Sequence, residues 1–164
     1  MAGFTASEAL DIAMRLERNG QAFYEAAARK INHVEVRELL LTLAQWEQRH
    51  YETFQKLADR LKLAEPPLLS GPYWEEYELY IQAALGNAMF YGPDKAVAVA
   101  DQVESTEQAL RMALGLEKDS LLFYYDLREM MPESERGAVD EIIREEKGHA
   151  TRLAKLLRGG EATL

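Results

Sequence analysis

The chain sets a carboxylate where an apolar residue belongs, and it does so four times. At the three- and four-residue spacing of one helix face, Leu10, Ala13, Glu17, Gly20, Tyr24 and Ala27 form a first stripe, and Leu39, Leu43, Glu47, His50, Phe54, Leu57 and Leu61 a second. Leu110, Ala113, Glu117, Ser120, Tyr124 and Leu127 form a third, and Val139, Ile142, Glu146, His149, Leu153 and Leu156 a fourth. A stripe of this kind faces a core, so four long helices carry one glutamate each into a shared interior. A buried, unpaired carboxylate costs several kcal/mol, and on the order of tens by idealised Born estimates. Whatever fold the chain adopts has to compensate four of them at once.

The stripes come in two matching pairs. Ala9-Leu10-Asp11-Ile12-Ala13-Met14-Arg15-Leu16-Glu17 answers to Ala109-Leu110-Arg111-Met112-Ala113-Leu114-Gly115-Leu116-Glu117, and Phe23-Tyr24 answers to Phe123-Tyr124 at the same offset. Glu47 and His50 answer to Glu146 and His149 one residue out of step, a slip that a turn absorbs. The chain is thus an internal duplication of a helical hairpin, with hairpins at 5–64 and 105–160 and a connection at 65–104.

Local signals set the ends of these helices. Thr5-Ala6-Ser7-Glu8 has the form of a capping box, Asn32 with Glu35 caps the second helix, and Pro66-Pro67 ends it. Ser105 or Thr106 starts the third long helix and Pro132 closes it; the fourth is expected from about Pro132 to the glycine pair Gly159-Gly160. The connection is too long for a tight turn, and 73–81 and 96–100 within it read as shorter helices. The expected architecture is all-α: one domain over residues 1–164, a four-helix bundle with a long, partly helical crossover.

Composition narrows the function. A formal charge of -9 is wrong for a nucleic-acid footprint or for docking on anionic lipid. No cysteine is present, which excludes disulfides, thiolate zinc, iron-sulfur ligation and a cysteine nucleophile. No run of about 18 apolar residues and no basic, apolar leader is seen, and the expectation is a cytoplasmic, water-soluble protein.

The four carboxylates need a counter-charge, and no Lys or Arg lies on the stripes. Two divalent ions supply four positive charges against four carboxylates, and two neutral imidazoles complete the coordination. Glu-x-x-His presents both ligand types from one helix, and oxygen with nitrogen but no sulfur suits iron or manganese rather than structural zinc. An isolated Glu-x-x-His is usually a solvated surface pair; six residues on four matching stripes are not.

With those residues in place, the chain resembles the ferritin-like di-iron carboxylate proteins, and within them the rubrerythrin family; bacterioferritins share a similar ligand set. The resemblance implies a ferritin-like bundle holding two iron ions, or manganese, through Glu17, Glu47, His50, Glu117, Glu146 and His149. On that resemblance the four glutamates are expected to act in catalysis as metal ligands. It also implies a homodimer or larger homo-oligomer. Rubrerythrins typically append a rubredoxin-like domain with two Cys-x-x-Cys pairs, absent here, and carry a further Glu where this chain has Ser120. Electrons are therefore expected from a separate donor, a rubredoxin or a flavoprotein. The expected activity is reduction of peroxide or dioxygen, with iron storage and a non-catalytic contact role as the competing classes.

Other residues carry narrower expectations. Gly20 and Ser120, one turn beyond a ligand glutamate, leave room for water or an oxidant, and His33 faces solvent. Tyr24 and Tyr124, two turns from Glu17 and Glu117, are expected mainly to pack in the core, with a hydrogen bond or redox role as the alternative. Tyr73, Trp74, Tyr77 and Tyr80 read as an aromatic face packed on the bundle or on a second copy. Glu145 competes with Glu146 for the ligand position, and only Glu146 keeps the three-residue spacing to His149.

Overall fold

The computed structural model describes residues 6–63 and 92–161. Among them are five helices and no strand: α1 Ala6–Lys30, α2 Val34–Leu63, α3 Pro93–Asp101, α4 Thr106–Met130 and α5 Arg136–Glu161. Thr5, Pro66-Pro67 and the aromatic group at 73–80 lie outside the described residues.

The two hairpins form as the duplication predicts, α1 packing on α2 and α4 on α5. Contacts of α1 with α4, and of α2 with α5, join them into a bundle, and α3 lies against α1 with Ala96 and Ala100 buried. Of the stripe residues, only Leu39, Ser120 and Leu156 fall short of full burial.

The helix ends differ in detail from the sequence reading. Residue 33, not Asn32, precedes α2: the His33 carbonyl accepts from Arg37 N–H, and its Nδ1 lies 3.5 Å from the Val36 nitrogen. His33 is exposed, as expected. Ser105 caps α4, its hydroxyl accepting from Gln108 N–H at 3.1 Å. α5 begins at Arg136, four residues later than Pro132, because the Pro132 carbonyl first closes a turn by accepting from Glu135 N–H. The Arg136 guanidinium holds that turn by donating to the Met131 carbonyl. At its other end α5 runs through Gly159-Gly160 to Glu161, so the glycine pair is a last helical turn rather than a stop.

The apolar core is not continuous. One cluster, including Phe23, Leu40, Leu43, Ala96, Leu110, Leu116, Leu153 and Leu157, fills one end of the bundle. Another, including Leu10, Phe54, Leu57, Phe123, Leu127, Val139 and Ile142, fills the other. What divides them is a layer of glutamate and histidine.

Candidate metal centre

Each bundle helix contributes to this layer at the middle of its length. Glu17 comes from α1, Glu47 and His50 from α2, Glu117 from α4, and Glu146 and His149 from α5, and all six are buried. The apolar stripe around each one forces it inward: turning Glu17 to solvent would also turn out Leu10, Ala13 and Tyr24.

The six gather into two groups that share one residue. The ligand atoms of Glu17, Glu47, His50 and Glu146 lie within 4.8 Å of one another, as do those of Glu117, Glu146 and His149. Both histidines turn Nδ1 inward. His50 Nδ1 is 2.8 Å from Glu146 Oε1 and 3.6 Å from Glu17 Oε2; His149 Nδ1 is 3.1 Å from Glu146 Oε2 and 3.8 Å from Glu117 Oε2. The two rings are 5.9 Å apart and nearly parallel, inclined by 26°. Among the described residues, the histidines are the ion-pair partners of Glu17, Glu117 and Glu146.

Two tyrosines brace the layer across the duplication. The Tyr24 hydroxyl on α1 donates to Glu117 Oε1 on α4 at 2.7 Å, and the Tyr124 hydroxyl on α4 donates to Glu17 Oε1 on α1. Both tyrosines pack in the core, as their place on the stripes predicts, and they also hold carboxylates. Each fixes one oxygen of its glutamate and leaves the other facing inward. Tyr124 in turn rests on Phe54, ring centroids 5.1 Å apart.

Glycine at position 20 has a specific use. A Cβ there would lie 3.1 Å from both Cδ and Oε2 of Glu47, so the space expected for water or an oxidant is filled by the Glu47 carboxylate. Trp46 lies beside both histidines, its ring centroid 5.7 Å from that of His149 and 6.2 Å from that of His50. Glu145 is not in either group. It is half-buried beside the layer and meets the far edge of His50, Oε2 to Nε2 at 2.9 Å.

With protein groups alone, burial dominates the electrostatics. It pushes the carboxyls of Glu17 and Glu47 well above the usual range, and neighbouring carboxylates add to the effect. Burial, then the charge of Glu146, pushes Glu117 up to about 8. Burial also raises Glu146, but its close polar contacts with Glu117, His149 and His50 outweigh it and hold this carboxyl low. The histidines are opposed by burial, yet close carboxylate contacts and charge raise both to about 9, from Glu146 at His50 and from Glu117 and Glu146 at His149. Tyr24 and Tyr124 are raised by burial and then by the carboxylates they serve, so they stay protonated donors.

The donor set fits a pair of cations on an observation independent of charge balance. Besides the side-chain amide of Asn19, the fully buried side-chain atoms that make no well-formed hydrogen bond among the described residues are Glu17 Oε2, His50 Nδ1, Glu117 Oε2 and Glu146 Oε1, of which His50 Nδ1 and Glu146 Oε1 face each other at 2.8 Å. Buried polar atoms are ordinarily satisfied, and these four orphans all point into the two groups. Carboxylate oxygen with imidazole nitrogen is the donor chemistry of iron and manganese sites.

Comparison with known proteins gives one sequence family and one fold relative. A family profile described as Rubrerythrin matches residues 8–157. A crystal structure described as that of a ferritin-like diiron-carboxylate protein from Thermotoga maritima is 26% identical, covering 96% of this chain and 97% of that one with a TM-score of 0.71. No curated protein sequence matches.

Proposed function

The chain belongs to the rubrerythrin family, and from that premise we propose that it is a dinuclear iron or manganese protein that reduces peroxide or dioxygen. Glu17, Glu47, His50 and Glu146 would hold one ion, and Glu117, Glu146 and His149 the other, Glu146 reaching both. The observation that carries this reading is the set of buried ligand atoms on both sides of Glu146 that face one another without a well-formed hydrogen bond. Two such ions, when bound, supply one electron each, matching the two-electron reduction of peroxide.

The protein's own groups contribute orientation and exclusion of water. Tyr24 and Tyr124 each tie down one carboxylate oxygen, which fixes where its second oxygen points. The apolar clusters above and below keep the layer in a low-dielectric setting, where such charge interactions are strongest. Without cysteine the chain cannot hold a rubredoxin iron of its own, so a separate rubredoxin or flavoprotein is the proposed electron donor. A homodimer or larger homo-oligomer is the proposed assembly, checked by light scattering; a monomer at micromolar concentration removes it.

An anaerobic assay tests the reaction. Protein loaded with ferrous iron is mixed with stoichiometric hydrogen peroxide, and peroxide loss and iron oxidation are followed. The proposal expects oxidation faster than for free ferrous ion, with the iron staying bound and reducible again. Oxidation no faster than in free solution refutes it. Growth of a ferric mineral inside a large shell favours storage instead.

A further inference from the structure

The two metal positions are built unequally, and the difference lies beside the ligands rather than in them. At the one-residue slip that relates the ligand pairs of α2 and α5, Glu146 corresponds to Glu47 and His149 to His50, so Glu145 corresponds to Trp46. The duplication thus puts a carboxylate at one of two equivalent places and an indole at the other. Each reaches across to the histidine of the opposite hairpin. Glu145 Oε2 lies 2.9 Å from His50 Nε2, while the Trp46 ring packs 5.7 Å, centroid to centroid, from His149.

The consequence follows from imidazole chemistry. A neutral histidine that offers Nδ1 to a cation carries its proton on Nε2. A carboxylate accepting that proton fixes the tautomer and the ring angle, and makes the ligand nitrogen a stronger donor. His50 has such an acceptor, and an indole ring cannot accept an N–H bond in the same way at His149. The groups are unequal in the same sense by ligand count, with four residues around His50 against three around His149.

We propose that Glu145 is a positioning residue for His50, and that it makes the His50 position the tighter of the two metal sites. This rests on the dinuclear reading above. In chain terms, the His50 ring is held by a bond on its far edge, whereas the His149 ring, bonded through Nδ1 to Glu146, rests beside the Trp46 ring with no carboxylate acceptor at its far edge among the described residues.

The test is an anaerobic competition titration of the full chain with cobalt(II), and then ferrous iron, against a chromophoric chelator. Wild type is expected to show two dissociation constants. Glu145→Leu should weaken the tighter one by about 10- to 100-fold and leave the other unchanged. Glu145→Gln, whose amide oxygen still accepts from Nε2–H, should fall between, which guards against a fold defect in the leucine variant. In the cobalt form, proton NMR of wild type should also show an exchangeable, slowly exchanging imidazole N–H that Glu145→Leu loses. Equal weakening of both sites, or no change in either, overturns the inference while leaving the dinuclear reading intact. A wild-type chain that binds no metal overturns the dinuclear reading itself.

Discussion

Replacing Gly20 by alanine separates helix stability from metal binding, because the structure predicts opposite signs for the two. In the interior of α1, glycine costs about 1 kcal/mol relative to alanine in helix propensity. Gly115 in α4 measures that gain alone, since a Cβ there meets nothing within 4 Å. At position 20 the new Cβ falls 3.1 Å from Glu47 Cδ and Oε2, where ordinary contact begins at 3.4 Å, so the carboxylate must give way by about 0.3 Å. Gly115→Ala should therefore raise the unfolding temperature of the metal-free protein by about 2–4 °C, and Gly20→Ala by less. Sites of this kind tolerate displacements of roughly 0.5 Å, and about 1 Å costs on the order of 100-fold. The ion shared by Glu17, Glu47, His50 and Glu146 should then bind roughly three- to tenfold more weakly in Gly20→Ala, and with unchanged affinity in Gly115→Ala. Differential scanning calorimetry and chelator competition on the same preparations give both numbers. If Gly20→Ala gains as much stability as Gly115→Ala and binds both ions as wild type does, Glu47 does not occupy the space beside Gly20 and the reasoning is wrong.

Further outcomes concern protons and the tyrosines. With protein groups alone, His50 and His149 at about 9 and Glu117 at about 8 lie above their unfolded values of 6.5 and 4.5, so the folded chain binds extra protons. Their stabilisation is complete below those unfolded values and is lost as pH rises through 8 and 9, at about 1.4 kcal/mol per pH unit for each extra proton bound. Glu146, held low, contributes with the opposite sign but only in acid. The urea midpoint of metal-free protein should thus fall from pH 6.5 to pH 9, and a flat or rising midpoint contradicts the assignment. Metal uptake near neutral pH should release protons, countable with an indicator dye, and affinity should rise with pH. Tyr24→Phe and Tyr124→Phe each remove a hydrogen bond to a buried carboxylate and should cost about 1–3 kcal/mol by denaturant unfolding; a loss below about 0.5 kcal/mol in both means packing alone explains them.

The sequence carried the bundle because its signal was redundant. The stripe through Leu10, Ala13 and Glu17 was repeated a hundred residues on, and a helix that buries such a stripe has no other face to offer. The six candidate ligands were legible for the same reason, each glutamate being conspicuous among apolar neighbours. What the sequence hid were relations across helices. Spacing puts Tyr24 on the same face as Glu17, yet its hydroxyl serves Glu117 on α4, a pairing that depends on how the hairpins cross. In the sequence Glu145 stands only as a rival to Glu146, because its contact with His50 belongs to the opposite hairpin. Gly20 signalled space correctly, but only the bundle shows that Glu47 fills it. The late start of α5 depends on a turn through Glu133, Ser134 and Glu135, residues without a strong helix-breaking signal of their own.

The central claim is that Glu146 joins two metal positions, and metal counting on matched variants tests it most directly. Protein saturated anaerobically with ferrous iron, freed of excess by gel filtration and checked for helicity by circular dichroism, should hold two ions per chain in wild type. His149→Ala should retain about one, at the position around His50, and Glu146→Ala should retain fewer than one, since both groups lose a ligand. A wild-type chain with less than one ion, or a Glu146→Ala chain that keeps two, would contradict the account.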